Sequence, residues 1–403
     1  MDLVLRDTLS GRPRAVRRRA GRPLALYVCG PTVYDAAHVG HARNYLFFDV
    51  ARRFLESEGR AVRHVMNITD FEDKLDARAE LLGIPWRALA RREERRFVRD
   101  LAALGALRPH ACPRATAFVP EMRKVARQLE RTGRVRRVGD EWVYRPPERP
   151  LGANFPTDRE LATHAVVEPG HPFPHQRGEA GEFVIWKLQD RPKPSWSGPW
   201  GRGVPGWHLE CYAMADRLLG LPVDLHGGGP DLIYPHHYSE NETSLALRGT
   251  PFSRVYFHPA FVLVGGAKMS KSTGNLLPLR NALDAVGAGA VRWYLLSSPP
   301  GQRLQWEAAG LGRATREFAD IRGAVGGALA AGTRGTARSP ARLAEAVRRE
   351  LARGLATDRA FDRIREWATA AQDGPAPRPG ARDSTRVRDA FRSIERRTGL
   401  PLL

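Results

Sequence analysis

The sequence predicts an α/β fold of parallel strands joined by crossover helices. Three observations carry this. Leu24-Ala25-Leu26-Tyr27-Val28 is a continuous apolar run, the pattern of a strand buried on both faces. It breaks at Cys29-Gly30-Pro31-Thr32, and His38-Val39-Gly40-His41 then opens an amphipathic helix through Tyr45, Phe48, Ala51 and Leu55. A second strand over 61–68 (AVRHVMNI) follows, and long βα crossovers imply a right-handed parallel arrangement.

A helix that starts just past a strand is a ready anion site, because its free N–H groups and its dipole face the ligand. Gly40 lets a flat base or a ribose come close to the backbone. His38 and His41 are placed to donate to phosphate oxygens. Taken alone, this short motif reads more readily as a βα turn carrying two exposed histidines.

The chain has 403 residues, so two or three structural units are expected. Sixty-four Lys and Arg against 44 Asp and Glu give a net charge of +20, which favours a polyanionic partner. The three cysteines, Cys29, Cys112 and Cys211, are too few and too scattered for a secreted disulfide framework. No apolar run reaches the length of a membrane span, and the Arg-rich start lacks the apolar core of a signal peptide. A cytoplasmic protein without membrane association is expected.

In chain order, residues 1–23 are basic and weakly patterned, with an edge strand near 3–5. The strand over 61–68 ends at Thr69-Asp70, where parallel sheets present binding residues. Helical patterning covers 77–82, 86–104 and 121–131. Between 133 and 205 prolines, glycines and short strand-like pieces (141–144 and 183–186) mark an insertion, with an irregular loop at 152–177. Helix resumes at 209–218, strand at 223–226, a tight turn at Gly227-Gly228-Gly229, and helix at 234–248. Strands within 252–264 lead to Lys268-Met269-Ser270-Lys271-Ser272-Thr273-Gly274-Asn275, and helices follow at 279–286 and 290–296. The stretch 313–403 carries nineteen arginines, no lysine and eleven acids, with helices near 343–355, 361–371 and 385–397 and a linker at 374–381.

The two motifs in this order, with YVCGPTVYD before the first, resemble the cysteinyl-tRNA synthetases, a class I aminoacyl-tRNA synthetase family. The likeness runs from about Tyr27 to about Trp306 through VMNITDFEDKL, PRAT, EFVIWK, PGWHLECYAM and DLHGGGPDLIYPHH. It implies a Rossmann-like catalytic domain of the HIGH/KMSKS type: a first half at 1–132, a connective insertion at 133–205, a second half with the KMSKS loop at 206–312, and a C-terminal helical bundle at 313–403. The sequence stops where the family usually continues into an anticodon-binding domain, and that module is expected to be missing.

The resemblance also implies the chemistry. Cysteine attacks the α-phosphorus of ATP, which enters with Mg²⁺, and the resulting adenylate passes its cysteinyl group to tRNA(Cys). His38, His41, Lys268 and Lys271 are the expected catalytic residues. His38, Gly40, His41 and Lys271 are expected to bind ATP, and Cys29, Thr69, Trp207 and His236 to bind L-cysteine. Cys29, Cys211, His236 and Glu240 match the family's ligands for one Zn²⁺ per chain. Spacing alone would not have found that set; what it does offer is that His236 and Glu240 are four apart and share a helix face. Two thiolates, an imidazole and a carboxylate suit tetrahedral zinc, and a thiophilic metal selects a thiol over the hydroxyl of serine.

The family usually has Glu-Asn where this chain has Tyr238-Ser239, and aspartate at Glu72. A monomer is expected. Two other functions fit the same adenylation chemistry or fold. One is a ligase joining cysteine to a small amine, as in mycothiol biosynthesis; the other is a non-catalytic tRNA-binding paralogue, which intact HIGH- and KMSKS-type motifs disfavour.

Overall fold

The structure, a computed structural model, describes residues 1–147, 181–190, 193–269, 274–331, 339–372 and 384–403. The chain opens with an antiparallel hairpin, β1 (Val4–Arg6) and β2 (Pro13–Ala15). The strand expected near 3–5 therefore forms, but it pairs locally instead of extending the main sheet. β3 (Leu24–Val28) is buried along its whole length. α1 (Val39–Ser57) crosses over it, and β4 (Val62–Met66) returns parallel to β3, with Leu24 opposite Val62 and Val28 opposite Met66. Helices α2 (Asp73–Leu81), α3 (Trp86–Ala103) and α4 (Val119–Glu130) follow.

Five antiparallel strands come next: β5 (Val135–Val138), β6 (Glu141–Tyr144), β7 (Phe183–Leu188), β8 (Trp196–Gly198) and β9 (Gly201–Pro205), in the spatial order β5-β6-β7-β9-β8. The loop expected at 152–177 lies outside the described residues. α5 (His208–Leu218), β10 (Leu225–Gly227), α6 (Tyr238–Arg248) and β11 (Tyr256–Phe257) complete a main sheet ordered β11-β10-β3-β4, every pair parallel. β3 and β10 are neighbours at its centre, so the two halves of the chain meet there. Their carboxyl ends, at Cys29 and Gly228, form the crevice where a parallel sheet binds ligands.

β12 (Val262–Val264) turns into β13 (Ala267–Lys268), the last described strand before the KMSKS loop, and pairs in parallel with β14 (Leu304–Trp306). Between them α7 (Leu279–Leu295) is continuous except at Gly287, whose φ of 77° interrupts the helix. That break falls between the two helices expected there. α8 (Ala308–Ala331), α9 (Pro340–Ala352), α10 (Thr357–Gln372) and α11 (Ser384–Thr398) follow. Pattern reading missed α8, because its apolar stripe is diluted by five glycines, from Gly310 to Gly327.

α1 is the hub of the main core. Leu46, Phe47, Phe48, Val50, Phe54 and Leu55 are all fully or nearly fully buried, each contributing on the order of 1.5–3 kcal/mol by burial. An ion pair crosses this core. Arg292 of α7 reaches Asp49 of α1 at 2.7 Å and the carbonyl of Thr398, at the end of α11, at 2.5 Å. No helix among the described residues is long and apolar enough to cross a membrane.

Candidate active site and metal centre

Four chain segments converge beyond the carboxyl ends of β3 and β10. Cys29 directly follows β3, and Cys211 lies in the first turn of α5. His236 sits in a wide turn, Ile233–His237, that feeds α6, and Glu240 lies in the first turn of α6. Helix was expected from 234, but Tyr234 is extended (φ −136°, ψ 137°) and α6 begins at Tyr238. The i, i+4 relation between His236 and Glu240 survives this, with His236 Nε2 3.0 Å from Glu240 Oε1.

The four donor atoms lie within 4.8 Å of one another and all four residues are buried. Cys29 Sγ is 3.6 Å from Cys211 Sγ and 3.9 Å from Glu240 Oε1, and His236 Nε2 is 3.4 Å from Cys211 Sγ. The edges of a tetrahedron around zinc, with its usual bond lengths, are about 3.3–3.8 Å. The donor set therefore fits one ion in both chemistry and spacing.

Charge is already sorted within the cluster. Burial pushes Cys211 up, but the Cys29 thiol and His236 outweigh it and bring it down to about 6. Burial, with Cys211 beside it, pushes Cys29 well above the usual thiol range. Burial opposes charge on His236, yet Glu240 and Cys211 raise it to about 10. Burial likewise opposes charge on Glu240, and His236 and His226 hold it at about 2.

A second donor set shares two of these residues. Cys29, His226, His237 and Glu240 also bring their donor atoms within 4.8 Å. His226 holds the other oxygen of Glu240 at 2.9 Å and turns its Nδ1 to the Tyr27 carbonyl at 3.1 Å. His237 Nε2 is 3.3 Å from Cys29 Sγ, and its Nδ1 is 2.7 Å from His258. Sequence reading did not single out His226 or His237. The only signal was their place in HGGG and in the His-His doublet.

Trp207 stacks on the His236 ring at 4.2 Å, and His208 Nδ1 meets His236 Nδ1 at 3.2 Å. The Thr69 hydroxyl donates to Glu210 at 2.8 Å and accepts from Asn67 at 3.2 Å. Thr69, Trp207, Cys29 and His236 are thus distributed over β3, the end of β4 and the approaches to α5 and α6.

The second group of expected residues gathers at the start of α1. His38 is the N-cap: its Nδ1 accepts from the backbone N–H of Gly40 at 3.2 Å and of His41 at 3.4 Å. His41 Nδ1 reciprocally accepts from the His38 N–H at 3.4 Å, and the two rings stack at 3.8 Å. A reciprocal cap of this kind satisfies N–H groups that the helix leaves unpaired. With each Nδ1 an acceptor, each neutral ring carries its proton on Nε2. Burial, with His41 and Lys268 nearby, lowers His38 to about 2, and burial lowers His41 to about 4 despite the pull of Asp231. Both rings are therefore neutral N–H donors at pH 7.

A Cβ on Gly40 would stand 2.9 Å from the methyl of Met269 and 3.0 Å from the His38 ring. The absence of a side chain there lets the HIGH-type turn touch the KMSKS-type segment. Lys268, at the end of β13, pairs with Asp231 at 2.9 Å and lies over the Phe261 ring at 4.7 Å. Lys271 lies outside the described residues.

The model of the class I (C) tRNA synthetase catalytic domain matches residues 16–316. The chain belongs to this class I synthetase family. A cysteine–tRNA ligase of Paramagnetospirillum magneticum is 39% identical over 316 residues, covering 78% of this chain and 68% of that protein. One from Rhodospirillum rubrum is 38% identical over 344 residues, covering 84% and 72%. Among solved structures, the methionyl-tRNA synthetase of Mycobacterium tuberculosis bound by methionyl-adenylate superposes with a TM-score of 0.65 at 18% identity, over 94% of this chain and 89% of that one. That likeness concerns the class I fold.

Proposed function

We propose that the protein is a cysteine–tRNA ligase, which activates L-cysteine with MgATP and passes the cysteinyl group to tRNA(Cys). The observation that carries this reading is the placement of Cys29, Cys211, His236 and Glu240 around one point, with the reciprocally capped His38-His41 turn on the same sheet edge. Zinc fits the four donors, and when bound it supplies a soft Lewis acid that takes a thiolate in preference to an alcohol.

The remaining chemistry belongs to the chain's own residues. The cluster is buried and Trp207 stacks on the His236 ring, so a thiol that reaches it leaves water behind. Thr69, held by Asn67 and Glu210, presents a fixed polar edge beside it. The carboxylate of cysteine is then directed toward the α-phosphorus of ATP, forming the acyl phosphate bond as the bond to pyrophosphate breaks. His38 and His41 donate Nε2–H to phosphate oxygens without themselves losing or gaining a proton. Lys268 and, by resemblance, Lys271 place positive charge on the leaving pyrophosphate side. This is catalysis by positioning and electrostatic stabilisation. In the second step a ribose hydroxyl of the tRNA 3′ end attacks the acyl carbon and AMP departs. One chain supplies every group named, so a monomer suffices, working on tRNA in the cytoplasm.

The test is ATP–pyrophosphate exchange without tRNA. It should depend on cysteine and prefer cysteine over serine by about 10⁴ or more in kcat/KM, as a site that engages a specific polar group does. Exchange that serine supports equally well would refute the reading.

A further inference from the structure

α3 sorts its arginines by face. Arg92 and Arg96 are paired with the buried Glu93 at 2.7 and 3.1 Å, and Arg99 reaches the buried Asp100 at 3.3 Å. Arg87, Arg91 and Arg95 are exposed, and no acid pairs with them among the described residues. Glu94, the acid nearest this face in sequence, is engaged by Arg114 at 2.7 Å.

The three unpaired arginines are four residues apart, so they form one ridge with steps of about 6 Å and a length of about 12 Å. Over that length one nucleic-acid strand presents about three phosphates. The ridge begins where α3 begins, after Pro85, with no side-chain cap and no acid in the first turn. The free N–H groups and helix dipole there also favour negative charge. Trp86 stands at that end with the Arg87 guanidinium 4.3 Å over its ring. On the opposite face Phe97 packs edge-on against Tyr45 of α1 at 5.3 Å, so the ridge is mounted on the helix that carries His38 and His41.

We propose that Arg87, Arg91 and Arg95 form a docking ridge for the phosphate backbone of RNA, and that in this enzyme the strand is that of the tRNA substrate. The inference rests on the ligase reading for the identity of the RNA. RNA is favoured over an acidic protein or a lipid surface for three reasons. The ridge is regularly spaced, it consists of guanidinium groups suited to phosphate oxygens, and within α3 the one large apolar side chain exposed is Val98, the vesicle arm of the test covering the exposed Leu81 and Leu82 that precede the helix. Because phosphate contacts position without reading bases, the ridge would set affinity and orientation, not the choice among tRNAs.

The experiment compares the triple variant Arg87→Gln/Arg91→Gln/Arg95→Gln with Arg12→Gln/Arg18→Gln/Arg22→Gln, which removes the same charge from another exposed segment. Binding of transcribed tRNA(Cys) is measured against salt, together with tRNA-independent cysteine exchange and binding to phosphatidylserine vesicles. In the ridge variant the log–log salt slope should become shallower by about two and affinity should fall on the order of tenfold, with exchange within about twofold of the parent. The control should lose much less. Equal losses in both variants, an unchanged slope in the ridge variant, or loss of vesicle binding with tRNA binding intact would each overturn the proposal. Absence of cysteine exchange in the parent protein would instead count against the ligase reading, with the salt slope still reporting on the ridge.

Discussion

The Sγ atoms of Cys29 and Cys211 stand 3.6 Å apart although 182 residues separate them in the chain. One follows a strand of the first half-fold and the other opens the second. A metal held between them would fasten the two halves at their shared seam. We therefore expect one zinc per chain, and Cys211→Ser or Cys29→Ser should lose most of it. His237→Asn, which removes a donor from the alternative set only, should retain it. Metal analysis of the four proteins decides between the sets; zinc lost from His237→Asn but retained by Cys211→Ser would select the other one.

The capping geometry of α1 makes a prediction about pH. His38 and His41, held at about 2 and about 4, lie below the ordinary imidazole range and are neutral from pH 5 upward. The rate of exchange at saturating substrates should show no acid limb near pH 6.5 that either residue controls. His41→Ala should slow exchange on the order of 10²-fold, as for other losses of a donor aimed at developing charge. A limb near pH 6.5 that vanishes in a His38 or His41 variant would show that the rings act as proton carriers.

His64 predicts acid lability of the fold. It is buried in β4, neither ring nitrogen has a hydrogen-bond partner among the described residues, and burial, with Arg52 and His110 adjacent, lowers it to about 3. Its folded value lies below its unfolded value of about 6.5, so the unfolded chain binds more protons between those limits. The stability it contributes is present above pH 6.5 and is lost as pH falls toward 3, by up to about 1.4 kcal/mol per unit. Thermal melts at pH 7 and pH 5 should separate less in His64→Leu than in the parent. An equal separation would mean that this residue does not set the dependence.

The buried pair Arg292–Asp49 should matter more to folding than any surface pair. Asp49 also accepts from the Leu107 N–H at 2.8 Å and from Arg53 at 2.9 Å, and burial of its carboxyl is overcome by Arg292 and Arg53, which keep it below its usual range. Arg292→Met strands part of that charge and also frees the Thr398 carbonyl. A loss of about 3–5 kcal/mol is expected in denaturant unfolding. A loss under about 1 kcal/mol would show that Arg53 and the Leu107 N–H satisfy Asp49 without Arg292.

What the sequence revealed and concealed follows from the range of the interactions. The β3–turn–α1 unit and the lysine-rich segment at 268 were legible because their chemistry is local: an apolar run, a break, and residues within one helical turn. Cys29, Cys211, His236 and Glu240 could be assembled only through resemblance, since their proximity comes from the pairing of β3 with β10. His226 and His237 stayed hidden because a histidine beside glycines, or next to another histidine, has no pattern of its own. The extended backbone at Tyr234 concealed the true start of α6. α8 escaped notice because helical packing through glycine and alanine leaves a weak apolar period. The sorting of α3 into a paired and an unpaired face was likewise invisible until Glu93 and Asp100 were seen to be buried.

Charging reports whether the crevice activates cysteine for tRNA. Purified protein with ATP, cysteine and transcribed tRNA(Cys) should form cysteinyl-tRNA(Cys), and should form no detectable product with serine. Cys211→Ser should charge at least about 10²-fold more slowly while its tRNA binding stays at the parent level. Robust adenylate formation with no cysteine transferred to tRNA(Cys), or charging that Cys211→Ser leaves untouched, would contradict the account.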